Sequence, residues 1–188
     1  MQTEFIEKLA HIQQQKNSCI ALMLTPVVEM MPVPVRRYDD PFLPFGKLAI
    51  NATRDYVSAY IFDLASYLAI GAAGIVALER TLAYAIGDAV TILHGPFATD
   101  GYTKVFEEQF FGFDAVTVTQ PGLVSAYTQR SDRYAFVVDS DLTTGQSLSI
   151  DEKHQLVVAG HDVLYHSQKV DFESVLRDEV KRLRDLYD

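Results

Sequence analysis

Apolar residues near the start of the chain recur as Phe5, Leu9 and Ile12, the spacing of one helix face, so the first fifteen residues are expected to form a short amphipathic helix that packs onto the rest of the fold. From Cys19 to Leu24 the run is apolar without interruption and ends at Thr25-Pro26, which suits a strand buried on both faces. Between Met31 and Pro44, four prolines, two arginines and two aspartates disfavour helix and sheet interiors alike and predict a long loop. Beyond it the rhythm is regular: helix Gly46 to Asp55, strand Val57 to Phe62, helix Leu64 to Ile70, then Ala73 to Ala77 as strand or buried helix. Helix Leu78 to Ala85 leads into strand Ala89 to Leu93, helix Tyr102 to Phe111 into strand Ala115 to Val118, and helix Leu123 to Arg130 into strand Tyr134 to Val138. Strands alternating with helices at this spacing predict right-handed crossovers and a parallel sheet.

After Ser140 the rhythm changes. Thr143 to Ser147 is a polar loop, and Gln155 to Ala159 with Val163 to His166, turning at Gly160-His161, predicts a hairpin. Phe172, Val175, Leu176, Val180, Leu183 and Tyr187 mark one face of a closing helix, with Asp178 and Arg182 as a supporting pair four residues apart. One domain, residues 1 to 188, is expected, divided into a barrel-like portion 1–142 and a divergent portion 143–188.

Composition narrows the partners. The net charge of -9, with lysines and arginines scattered except at Arg36-Arg37 and in the last helix, gives no basic face for a phosphate backbone, so no nucleic acid is expected. The longest apolar stretch, Tyr56 to Leu78, is broken by Asp63, Ser66, Gly71 and Gly74, so no membrane span is expected. A single cysteine, Cys19, inside an apolar run fits a reducing cytoplasm.

The segment Gly71 to Thr81 reads GAAGIVALERT, preceded by YIFDLASYLAI and followed by LAYAIGDAVTILHG and later by FDAVTVTQPG. In order and spacing these segments, with NATRDYVSAY and LTPVVEMMP upstream, resemble the bacterial branch of the orotidine 5'-phosphate decarboxylase family over about residues 3 to 142. The resemblance implies an α/β fold, a (β/α) TIM-barrel-like parallel sheet that binds ligands at the carboxyl ends of its strands, incomplete or modified towards the C-terminus. It also implies a homodimer, in which a second copy or the 155 to 166 hairpin covers the open sheet edge.

In that family, decarboxylation rests on an array of aspartates and lysines: one lysine after the second strand and an Asp-x-Lys-x-x-Asp motif after the third. An aspartate pressed against the substrate carboxylate opposes the ground state, while an ammonium stabilises and protonates the carbanion. Here the lysine position falls on Ile61, and the motif falls on His94, Pro96 and Thr99. The family's ribose-contacting aspartate falls on Thr25. Proline carries no proton, so the parent activity is not expected, and no cofactor is implied.

The remaining candidates form a pocket lined by Thr25, Asp63, His94, Thr99 and Asp139, with Asp63 and His94 as the acid–base pair of an altered chemistry, if any. Gly95-Pro96-Phe97 is alternatively an apolar plug filling that space. Asp139 and Asp141 share one side of a strand end, as a cation site or simply a solvated turn. His161, Asp162 and His166 have a spacing that diverges on strand and helix alike, so no metal is expected there. Tyr38, Phe42 and Phe45, with two arginines, make Arg36 to Lys47 either a protein-partner surface or a packed connector. The functional expectation is a non-catalytic, decarboxylase-derived barrel acting as a binding, regulatory or scaffolding module for a protein partner or a small-molecule ligand. The alternatives are a lyase or isomerase acting on a small anion, or residual pyrimidine-nucleotide decarboxylation.

Overall fold

A computed structural model of the chain describes residues 2–106, 111–139 and 141–187. Helix α1 (Thr3–Lys16) precedes β1 (Ile20–Leu24), and two short 3-10 turns lead to α2 (Phe42–Thr53) and β2 (Ala59–Asp63). Helices α3 (Leu64–Leu68) and α4 (Ala72–Ala85) connect to β3 (Val90–Phe97), followed by a 3-10 segment (Asp100–Phe106) and β4 (Ala115–Val118). The chain continues through α5 (Val124–Tyr127), β5 (Tyr134–Val137), β6 (Ser147–Ser149), β7 (Gln155–Ala159), α6 (His161–Leu164) and α7 (Phe172–Tyr187).

The seven strands form one sheet in the order β5-β4-β3-β2-β1-β7-β6, parallel throughout except for the antiparallel β6–β7 pair. Below the carboxyl ends of the strands its inner face is apolar. Ala21, Met23, Ala59, Ile61, Val90, Ile92, Ala115, Phe136, Leu148, Leu156 and Val158 join Phe5, Leu9 and Ile12 of α1 in one buried cluster. Seven strands laid flat at ~4.8 Å would span roughly 29 Å, too wide for both edge strands to share a cluster with one helix. The sheet therefore curls into a nearly closed barrel, with α1 across the N-terminal ends of the strands. Lys16 fixes that position by donating to the carbonyls of Val57 and Asp88. The outer face, with Leu22, Tyr60, Phe62, Leu93, Val116 and Val157, packs in a second cluster with residues of α2, α4 and α7.

The parallel sheet expected from the rhythm and the barrel-like form implied by the resemblance are present, one open alternative is decided and several local expectations are corrected. Ala73 to Ala77 is helix, part of an unbroken α4, because Gly71 at φ 77° opens the turn and Gly74 lies against the backbone of Tyr67, where a Cβ would sit 1.9 Å from its carbonyl oxygen. The expected 155–166 hairpin does not form. Strand β7 pairs with β1 on one side and with β6 on the other, while Val163 to His166 begins inside the helical turn α6 and buries Val163 and Leu164 against the outer core. The polar stretch ending at Ser147 thus leads into a strand, which uses Leu148 alone to reach the inner cluster. The helix expected from Leu123 is only the four residues of α5, and the one expected from Tyr102 is 3-10 as far as Phe106, with residues 107–110 outside the described residues. Arg182 pairs with Glu179 at 2.8 Å instead of Asp178.

Candidate functional site at the carboxyl ends of the strands

The ladders place the candidate residues in a row. Leu24 pairs with Phe62, so Thr25 comes next in register with Asp63, and Asp63 pairs with His94. Strand alternation puts all three on the inner face, two positions above Met23, Ile61 and Ile92. Thr117, on the next strand, joins them through a 3.0 Å hydrogen bond between its Oγ1 and His94 Nδ1.

His94 is only 2% exposed. Burial pushes its pKa below the usual 6.5, against the opposing charges of Asp63 and Asp141, so the imidazole is neutral at neutral pH. Thr117 Oγ1 accepts from the Gly95 N–H at 3.2 Å, and it makes no hydrogen bond among the described residues other than this one and that to His94. A fully buried hydroxyl proton needs an acceptor, so Thr117 donates to Nδ1 and the neutral ring carries its hydrogen on Nε2.

Asp63 caps α3: its Oδ2 accepts from the Ser66 amide at 3.3 Å and from the Ser66 hydroxyl. Oδ1 makes no hydrogen bond among the described residues. Thr25 is 6% exposed, and its Oγ1 is buried without a hydrogen-bond partner among the described residues. Tyr165 holds the backbone around it, donating to the Thr25 carbonyl at 2.8 Å and accepting from the Val27 N–H at 2.9 Å.

Two expected lining residues are placed differently. Thr99 is exposed, its hydroxyl accepting from the Gly101 N–H at 2.8 Å and its carbonyl from the Tyr127 hydroxyl at 2.5 Å. Asp139 is exposed as well, and of the two strand-end aspartates it is Asp141 whose charge acts on His94. Of the expected five, Thr25, Asp63 and His94 come together.

The plug reading of Gly95-Pro96-Phe97 fails because Phe97 shares the outward face of Leu93, four positions before it, and β3 also bulges between them: Leu93 pairs with Val116 and Phe97 with Val118, four positions against two. Phe97 lies in the outer cluster, where it stacks on Tyr127 at 5.9 Å and Tyr102 at 5.3 Å. Gly95 permits this, since a Cβ would lie 2.8 Å from the Phe97 ring. In the Arg36 to Lys47 segment, Phe45 is buried on Tyr165 and Phe172 while Tyr38 is 61% exposed, so the stretch is half connector and half surface. Among the described residues no cluster of three or more His, Cys, Asp or Glu side chains is arranged to hold a metal ion, and no helix is long and apolar enough to cross a membrane.

Sequence reasoning missed Thr117 and Asp114. Thr117 was findable, because it lies two positions from the inward-facing Ala115 in Ala-Val-Thr-Val. Asp114 is a buried anchor at the opposite end, accepting from the Thr91 amide at 2.9 Å, the Thr91 hydroxyl at 3.1 Å and the Lys8 ammonium at 2.7 Å.

No protein-family model matches the chain. It is 34% identical over 153 residues to the orotidine 5'-phosphate decarboxylase of Thermomicrobium roseum, covering 76% of this chain and 53% of that protein. It is 26% identical over 144 residues to that of Herpetosiphon aurantiacus, covering 71% and 53%. The chain thus spans about half the length of these curated relatives. Among solved structures, a Toxoplasma gondii protein provisionally assigned as an orotidine-monophosphate decarboxylase superposes with a TM-score of 0.64 at 22% identity, covering 76% of this chain and 51% of that one. The Plasmodium berghei orotidine 5'-monophosphate decarboxylase superposes with a TM-score of 0.59 at 16% identity, covering 95% and 70%.

Proposed function

The chain is a divergent, partial relative of the orotidine 5'-phosphate decarboxylase family, and on that premise we propose that it does not decarboxylate orotidine monophosphate but binds a small ligand at the barrel mouth, in a regulatory or scaffolding role. The observation that supports this reading is the chemistry at the positions of the family's charged array. Ile61 is fully buried among apolar side chains, Pro96 has no ionisable group, Thr99 faces solvent, and His94 is buried and neutral. Among the described residues no ammonium takes the place of the family's lysines at Ile61 and Pro96, and a neutral imidazole bonded to Thr117 does not oppose a substrate carboxylate as an aspartate does. A fold shared with decarboxylases does not supply the missing charges.

The reading includes a cytoplasmic location and a second copy of the chain at the open sheet edge, since β5 and β6 end the sheet with no ladder between them among the described residues. An altered acid–base enzyme is the second reading, favoured by the in-register Asp63–His94 pair. Calorimetric titration with uridine and orotidine monophosphates, beside a decarboxylation assay, tests the proposal. The expected result is no turnover of orotidine monophosphate. Binding with turnover refutes the proposal, and turnover of a different substrate that disappears in His94→Gln moves the assignment to the second reading.

A further inference from the structure

On the outer wall of the barrel, α2 and α7 lie side by side and run in the same direction. Leu48 lines a groove with Phe172 and Glu173, the Ala52 carbonyl accepts from Arg177 Nε at 3.3 Å, and the Tyr56 ring meets Lys181 at 4.8 Å and Arg184 at 5.7 Å. The end of the groove at Leu48 is apolar. Pro34, Tyr38, Val170 and Phe172 complete it, with Tyr38 61% and Val170 86% exposed. The Val33 N–H donates to the Gln168 carbonyl at 3.0 Å and ties the two walls together. Large apolar side chains left in water at the rim of a formed groove mark a surface that gains by being covered.

The other end is cationic, and its charges come from distant parts of the sequence. Arg54 lies 5.4 Å from the Tyr84 ring and pairs with Asp88 at 2.8 Å, and Arg184 pairs with Asp185 at 2.8 Å. Arg177 and Lys181 make no ion pair among the described residues. Contacts with the Ala52 carbonyl and the Tyr56 ring hold these two side chains in place, so less freedom is lost when an anion binds them. In a chain of net charge -9, uncompensated cations beside an exposed apolar patch select a partner that is acidic and apolar at once. A uniformly anionic chain such as a nucleic acid fits less well, because Glu173 stands at the apolar end, one turn before Arg177.

We propose that the groove between α2 and α7 docks an extended acidic segment of a protein partner, with a large apolar side chain seated between Tyr38 and Val170 and carboxylates on Arg177 and Lys181. Phe172 and Lys181 are nine positions apart on one helix, ~14 Å at 1.5 Å per residue. About four residues of extended chain cover that distance, which sets the spacing between the apolar anchor and the carboxylates. The groove is on the outside of the barrel, so the inference stands apart from ligand binding at the mouth.

The test is fluorescence anisotropy of fluorescein-labelled peptides titrated with the intact chain. The probes are acetyl-Leu-Phe-Gly-Ser-Gly-Glu-Asp-Glu, the same residues in reverse order because the groove fixes spacing and not chain direction, the neutral counterpart ending Gln-Asn-Gln, and a thymidine octanucleotide. Saturable binding of at least one acidic peptide is expected, weakened by added salt and about tenfold tighter than that of the neutral counterpart. Lys181→Glu reverses an uncompensated charge and Val170→Asp puts a carboxylate at the exposed apolar rim. Each should weaken the acidic peptide about tenfold with an unchanged melting temperature, whereas His94→Gln should leave its binding as it is. No saturable binding of either acidic peptide, equal binding of the neutral counterpart, or full affinity in both groove variants overturns the proposal. Tighter binding of the octanucleotide than of both peptides also overturns it, by making the groove a nucleic-acid surface.

Discussion

At the N-terminal ends of the strands, Ala21, Ala59, Val90 and Ala115 leave room that Phe5, Leu9 and Ile12 fill. At the C-terminal ends, the inner positions are Thr25, Asp63, His94 and Thr117. Most polar groups of the lower end are matched: Asp114 holds Thr91 and Lys8, Lys16 donates to two carbonyls, and Arg54 pairs with Asp88 at 2.8 Å although its Nε has no hydrogen-bond partner among the described residues. Those of the upper end are matched on one side only, Asp63 by Ser66 and His94 by Thr117, and Thr25 Oγ1 is not matched at all among the described residues. The same curled sheet therefore has one end whose inner positions are filled by apolar side chains of α1 and one whose inner positions carry unpaired polar groups. That is the division expected of a barrel whose ligands bind at the carboxyl ends of its strands.

The contrast breaks first if the apolar layer directly beneath the mouth tolerates charge. Ile61→Lys restores the residue type of the decarboxylases but places an ammonium in a fully buried apolar layer. A loss on the order of 3–5 kcal/mol in urea unfolding is expected, with no decarboxylation gained. Next in size, Phe5→Ala removes a fully buried ring that lies 5.1 Å from Tyr134 and 6.3 Å from Phe136, for an expected loss of about 3–4 kcal/mol. Ligand affinity of the remaining folded protein should not change. A coupled loss of binding would mean that the two ends are not separable.

The upper end gives smaller, pH-dependent effects. Because burial depresses the pKa of folded His94, its contribution to stability is complete above the unfolded value near 6.5 and is lost as pH falls from there through the folded pKa. Melting curves between pH 8 and pH 5 should show the unsubstituted protein falling below His94→Gln in relative stability as the solution is acidified. A parallel pair of curves would mean that the ring is open to water. Thr25→Val, which removes an unpaired buried hydroxyl at nearly constant volume, is expected to raise stability by about 1 kcal/mol in urea unfolding.

The sequence carried most of the architecture because the barrel strands are short apolar runs between strong helix and turn signals. The Gly71 to Thr81 segment also tied the order of the elements to a known barrel. It misled after Ser140, where Val163-Leu164-Tyr165 had the apolar character of a strand but is buried by a single helical turn, and where β6 reaches the core with Leu148 alone. Local periodicity says little over four residues, and tertiary pairing with β1 and β7 decided the outcome. Within the site, Thr25, Asp63 and His94 were legible because each follows directly on an apolar run, although β3 itself continues past His94 to Phe97. Thr99 was not, since its place depends on the bulge at Gly95-Pro96, which shifts everything after it relative to β4. The tautomer of His94 was beyond sequence reasoning because it depends on one hydrogen bond to a residue on another strand.

The most direct measurement incubates orotidine monophosphate with a molar excess of the protein and tracks release of its carboxyl carbon as carbon dioxide over a single turnover. Release no faster than in buffer alone is the predicted result, for the unsubstituted chain and for Ile61→Lys. Release above that background by the unsubstituted chain, lost in His94→Gln, would contradict the claim that this barrel has given up the chemistry of its relatives.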